Sequence, residues 1–247
     1  MYRKIDEIVP LGFNCEISFR IEDWFGKVNS YPFSWSYPFN RDIVVDELNN
    51  GLKNILSETV SICHDKRIRR MVVCDKTQIT FHPKGDFIDK NGIINLEPAT
   101  IELKSRFAHL RDKFEKLIKD QDKFILFICG LTDNGESSDK DYVLRLYSVL
   151  KSICITDHFI LLIVADSKRY TDELKLLEND NLKIRMVRKF GNQKRVDFST
   201  DGKNWGKIFA EFLGNKGKAK YTYRLTKRRI IRIFKYALYR LNNLRKK

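Results

Sequence analysis

The unbroken apolar run Phe159-Ile160-Leu161-Leu162-Ile163-Val164-Ala165 limits the fold more than any other part of the chain. It lies between His158 and Asp166, so its length is that of a strand. A strand that is apolar at every position, rather than at alternate ones, must be covered on both faces. Phe124 to Cys129 repeats the pattern, and Ile5 to Leu11 and Ile184 to Val187, each interrupted by charged residues, read as further strands. Between these runs the spacing turns helical. Thr100 to Lys119 places Ile101, Phe107, Leu110, Phe114 and Leu117 on one side, and Tyr142–Ile153, Asp172–Leu177 and Trp205–Leu213 read as further helices. Such alternation predicts an α/β fold: a mainly parallel sheet flanked by helices, in a Rossmann/flavodoxin-like three-layer arrangement.

Three other segments complete the domain. A helix is expected from about Asn14 or Cys15 toward Gly26, and another over Asp42–Leu56. Met71–Cys74 and Thr77–Phe81 read as a hairpin closed by Asp75-Lys76 and ended by His82-Pro83. In open α/β sheets ligands gather beyond the carboxyl ends of the strands. Here those ends supply Gly12 to Cys15, Gly130 to Asn134, and Asp166-Ser167. His82 joins them if its strand runs the same way.

Cys15 is the sharpest chemical feature. A thiol in the first turn of a helix meets unpaired backbone N–H groups and the positive end of the helix dipole, both of which favour thiolate. Those N–H groups, with Gly12 permitting close approach and Asn14 adding a side-chain donor, could also hold an oxyanion. The plainer reading is a small packed residue at a strand-to-helix turn. A nucleophilic thiol needs a base, and His82, standing where a strand stops, is the preferred one; Asp133, Asn134, Asp166 and Asp86 are the available orienters. A solvated loop histidine explains His82 equally well. Ser30 to Phe39 packs five aromatics into ten positions and reads as a pocket wall or lid beside Cys15, or as an aromatic plug.

Five cysteines without a CxxC pair do not suggest a disulfide framework. Cys63, His64, Cys74 and His82 are the one conceivable metal set, and their spacing fits none of the usual zinc patterns. Neither a metal nor another cofactor is expected. No run approaches the roughly 20 apolar residues of a membrane-spanning helix, and no signal-peptide core follows Met1. The expectation is a cytoplasmic protein.

Charge divides the chain at residue 216. Thirteen of the 47 Lys and Arg lie in residues 216–247, which contain no Asp or Glu, and residues 1–215 carry a net charge of only +2. In this tail Phe234, Leu238 and Leu241 share one helical face with other apolar residues, while Arg228, Arg229, Arg232 and Lys235 occupy the other. A basic amphipathic C-terminal helix of this kind suits an anionic membrane surface, peripheral to the inner membrane. Nucleic acid ranks below membrane because phosphate binding does not need the apolar face; docking on the protein's own body is the third option.

Leu11-Gly12-Phe13-Asn14-Cys15, then Pro32-Phe33-Ser34-Trp35, then a hairpin ending in Phe81-His82, resemble a bacterial domain-of-unknown-function family described as papain-like cysteine peptidases. Its members read leucine-glycine-any-asparagine-cysteine, proline-phenylalanine-aspartate-tryptophan, and histidine-aspartate. The resemblance spans roughly residues 5 to 213 and is most specific in the first 90. It implies Cys15 as nucleophile and His82 as its partner; Gly12, Asn14, Ser34, Trp35 and Asp86 are the expected substrate-binding residues. The family's aspartate is Ser34 here, and Pro83 follows His82 with Asp86 close behind. A Cys at a strand-to-helix turn also suits an esterase-like hydrolase or an acyltransferase. The expectation is acyl transfer on an unidentified acyl or glycan substrate. The rivals are a non-covalent glycan- or nucleotide-binding protein of envelope polysaccharide assembly, using a helix N-terminus, and a non-catalytic interaction module.

Overall fold

The computed structural model describes residues 4–12, 15–25, 29–63, 71–131, 135–187 and 204–212, with Cys15, Glu16 and Asp23 in their backbone only. In chain order the elements are β1 (Glu7–Pro10), α1 (Cys15–Phe25), β2 (Ser36–Pro38), α2 (Asp42–Asn49), β3 (Val60–Ile62), β4 (Val72–Cys74) and β5 (Ile79–Phe81). Then come α3 (Leu96–Ile118), β6 (Ile125–Gly130), α4 (Asp139–Ile153), β7 (Phe159–Asp166), α5 (Asp172–Lys175) and β8 (Leu182–Val187). A last helix, α6, covers residues 204–212.

The four expected strands form one four-stranded parallel sheet in the order β1-β6-β7-β8, as their composition predicts. All of β6 and all of β7 up to Ala165 are buried, because side chains of both parities meet a helical layer. On one face Ile8, Leu126, Ile128, Leu162 and Val164 pack against α1 and α6. Here Gly206 is needed for close approach: a Cβ at that position would come within 2.7 Å of the Trp24 ring. On the other face Phe127, Cys129, Leu161 and Ile163 pack against α3 and α4. The result is α/β in three layers.

The predicted hairpin, β4 and β5, belongs instead to a second sheet, antiparallel, in the order β2-β5-β4-β3. Its β2 and β3 are three residues each, too short to produce a recognisable period in sequence. Val72, Cys74, Ile79 and Phe81 enter the same core as α2, α3 and α4, so the small sheet sits on the α3–α4 side of the large one.

Helix boundaries differ from expectation for local reasons. The segment expected to be helical to Leu56 stops at Asn49, since Gly51, Leu52 and Leu56 take positive φ of 63°, 60° and 56°. Leu52, Ile55 and Leu56 are buried nonetheless, which is why the apolar period ran on past the helix. Helix α3 begins four residues earlier than Thr100 and takes Pro98 into its first turn, where a missing N–H costs no intrahelical bond. Helix α4 begins at Asp139, capped by the Ser138 hydroxyl, which accepts the Asp141 N–H at 3.1 Å.

No helix among the described residues is long and apolar enough to cross a membrane. The basic tail lies outside the described residues.

Candidate functional site

Strand β1 ends at Pro10, Leu11-Gly12 follow it, and α1 begins at Cys15. Gly12 has φ +83°, the left-handed region in which a side chain is strained, and a Cβ there would stand 3.4 Å from Val44 and 3.6 Å from Phe33. The turn therefore requires glycine for its backbone, and Cys15 is the first residue of the helix it launches. The Cys15 side chain and Asn14 lie outside the described residues.

What α1 packs against is well defined. The Ser18 hydroxyl donates to the Ser34 carbonyl, and the Ser34 hydroxyl accepts the Tyr31 N–H at 2.8 Å. Ser34 is thus a buried turn-former tying the aromatic loop to α1, with its hydroxyl used in that turn. Trp35, next in sequence, packs edge-on to Phe19 with ring centroids 5.3 Å apart. Phe19 follows Cys15 by four positions in α1.

Trp35 also forms one wall of a cleft of about 390 Å³. Its floor is Phe81 from β5 with Leu103, Phe107 and Leu110 from α3; Pro32 also lines it, and His82, Arg106 and Ser30 supply polar groups. The aromatic loop supplies both core and cleft, and Tyr31 belongs to both. Tyr31 and Phe33 are core residues, while Trp35 is a cleft wall. The Tyr31 hydroxyl donates to Glu7 at 3.0 Å, and burial, then the Glu7 charge, push its pKa well above the usual tyrosine value.

His82 follows β5 directly and keeps one side open to solvent. Desolvation against the cleft, then the positive charge of Arg106, lower its pKa from the ordinary histidine value. Arg106 donates an N–H to the His82 carbonyl at 3.0 Å, which fixes the guanidinium beside it. Both effects favour the neutral imidazole, the form that can accept a proton.

Of the expected orienters only Asp166 and Asp86 are described, and neither hydrogen-bonds the His82 ring. Asp133 and Asn134 lie outside the described residues. Asp166 caps the turn after β7, accepting the backbone N–H of Lys168 at 3.0 Å and of Arg169 at 3.2 Å. Asp86 is exposed in a short 3-10 turn. Among the described residues no carboxylate or amide hydrogen-bonds the His82 ring. His158 is engaged elsewhere, Nδ1 lying 2.9 Å from the Gln121 carbonyl.

The other cysteines serve packing. Cys74 is buried, its sulfur accepting the Leu56 N–H at 3.4 Å, and Cys63 packs with Met71 and Val73. Cys129 is buried beside the Tyr142 hydroxyl, its pKa pushed up to about 11 by burial, and half-buried Cys154 is pushed up to about 12 for the same reason. His64 lies outside the described residues, and no group of metal-ligating side chains assembles among the described ones.

At the carboxyl end of the large sheet a different arrangement appears, one that sequence reasoning missed. Buried Arg41 reaches the Asp139 carboxylate and the Ser137 carbonyl, and lies 4.9 Å over the Tyr142 ring. Asp42 accepts the N–H groups of Glu136 and Ser137, the Ser137 hydroxyl, and Arg145 at 3.0 Å. Burial alone would raise the Asp42 pKa, but these bonds and Arg145 outweigh it and hold the carboxyl below its ordinary value. Arg169 also contacts Asp139, at 2.7 Å. Asp42 and Asp139 each have an arginine, so the cluster pins α2 to α4. Arg106 was missed too; its signal was its place at 103, 106, 107, 110, the stripe of α3 that faces the loop.

No family model, no curated protein and no solved structure matches the chain.

Proposed function

We propose that the chain is a cysteine-nucleophile acyl-transfer enzyme, hydrolase or acyltransferase, with Cys15 as nucleophile and His82 as its base. The observation that supports this reading is that Trp35 packs on Phe19 of α1, the helix that Cys15 begins, and also walls the cleft that His82 lines. In this reading the helix N-terminus stabilises the thiolate and then the oxyanion of the tetrahedral intermediate. Neutral His82 takes the thiol proton, the acyl group passes to sulfur as the leaving group departs, and His82 then assists attack by water or another acceptor. The resemblance to the papain-like family and a Rossmann/flavodoxin-like assignment of the three layers belong to the same proposal; the described strands run β1-β6-β7-β8 without a reversal of order.

One observation favours a second reading. With no acid or amide on the His82 ring among the described residues, non-covalent binding of a glycan or nucleotide at the start of α1 stays open as a function. Timed alkylation with iodoacetamide across pH, followed by peptide mass analysis, separates the two. Acyl transfer requires Cys15 to be labelled before Cys63, Cys74, Cys129 and Cys154, and His82→Gln to shift the pH profile of that labelling upward. Labelling of Cys154 first, or a profile indifferent to His82→Gln, favours binding alone.

Attachment of the tail to an anionic cytoplasmic membrane surface is part of the proposal and rests on the charge division at residue 216. Vesicles containing anionic lipid should hold the full chain and release a chain ending at residue 215. Retention of the truncated chain, or preference of the full chain for RNA, would overturn it.

A further inference from the structure

The cleft beside His82 has an uneven chemistry that specifies its ligand. Its volume of about 390 Å³ lies within the range of small-molecule sites. The floor and one wall, Phe81, Leu103, Phe107, Leu110 and Pro32, offer hydrocarbon, and Trp35 offers an aromatic face whose Nε1 donates to the Ser30 hydroxyl at 3.4 Å. Among the described residues the cleft lining contains no acid, and its one permanently charged group is Arg106.

The charge of Arg106 is only partly answered. Its Nε lies 3.9 Å from Glu102, a loose pairing, whereas Glu102 is engaged by Lys84 at 2.8 Å. Lys84, Glu102 and Arg106 together leave one positive charge in excess. Arg106 spends one Nη on the His82 carbonyl and is thereby positioned, and among the described residues its other Nη makes no hydrogen bond. A guanidinium fixed by one arm and open on the other suits the two oxygens of a carboxylate. A cation would meet an uncompensated positive charge here, and a fully apolar ligand would leave that charge unanswered.

We infer that this cleft binds an amphiphilic carboxylate, an alkyl or aryl body in the hydrocarbon floor with its anionic group on Arg106. Arg106 is then the specificity residue. The inference rests on the acyl-transfer reading only for the chemistry after binding, since binding itself needs neither Cys15 nor turnover.

The test uses the full chain with octanoate, 1-octanol and octyltrimethylammonium as probes, read by Trp emission. Trp24 and Trp205 are buried in the opposite layer, so quenching by a cleft ligand reports on Trp35, and Trp35→Phe should abolish it. Octanoate should bind about tenfold more tightly than octanol, the size of one charge-assisted hydrogen bond, and the cation least tightly. Arg106→Gln should reduce octanoate to the level of octanol without altering octanol, and Arg106→Lys should restore part of the preference. Equal binding of octanoate and octanol by the unaltered chain overturns the inference. So does a preference that survives Arg106→Gln, or quenching that survives Trp35→Phe, because the anion would then sit elsewhere. These results are independent of Cys15 labelling: binding as described with Cys15 inert removes the catalytic reading alone.

Discussion

In the parallel sheet, β6 is buried from end to end and β7 from Phe159 to Ala165, with a helical layer on each face. In the antiparallel sheet, β4 and β5 bury three residues each, β3 is only half-buried, and β5 runs straight into His82 at the edge of an open cleft. One region is closed on all sides and the other is finished by polar side chains facing solvent. Burial on both faces concentrates stability and leaves no room for a ligand, whereas a short sheet laid on a long helix leaves a gap where their ends diverge. The closed core and the open cleft thus belong to different sheets.

The largest effect that would break this division is in the closed region. Phe127 is fully buried and packs edge-on with Phe114 at 6.4 Å and Phe159 at 5.9 Å. Phe127→Ala should cost about 3–5 kcal/mol, read as a lower urea midpoint. A loss as large from Trp35→Ala would show that the cleft wall is core and erase the contrast. Next in size is Gly12→Ala, which forces a side chain to φ +83° and should cost about 1–2 kcal/mol in the same assay. A neutral result would mean that the β1–α1 turn relaxes without penalty.

Two smaller effects concern protons. The Asp42 carboxyl is held below its ordinary pKa in the fold, so it stabilises the protein above the unfolded carboxylate value, and that contribution disappears as pH falls through the lowered one. Asp42→Asn should flatten the acid limb of stability against pH; an unchanged limb would assign acid sensitivity elsewhere. The smallest effect lies at the cleft. His82 has a lowered pKa, so its contribution is present above the usual histidine value and is lost as pH falls through the lowered one. Removing the Arg106 charge should move the His82 pKa back up, visible in the ring proton shifts by NMR, with little change in urea midpoint. No movement would mean that burial alone sets it.

The two regions were also unequally legible. Continuous apolar runs announced β6 and β7, because a strand covered on both faces has no polar position to break the run. The small sheet stayed half hidden: β4 and β5 showed as a hairpin, but β2 sits inside the aromatic loop and β3 follows a stretch of positive-φ turns. The site divided in the same way. His82 at a strand end and Trp35 in the aromatic loop could be read locally. Arg106 could not, since it belongs to the cleft only through the packing of α3 under β5. The Arg41–Asp139 contact joins residues 98 apart and has no local signature.

Strand β1 pairs with β6 and with no other described strand, joining Glu7 to Ile125. During synthesis, then, β1 leaves the ribosome and waits for more than a hundred later residues before its hydrogen bonds can form. Closing a loop of that length is slow compared with forming a helix or a hairpin. The small sheet and α3 are complete before β6 exists, so the cleft's floor can assemble on the nascent chain while the Gly12 turn is still unanchored. The packing of β1 and its following turn onto the large sheet therefore comes late, after the elements that line the cleft have all been synthesised.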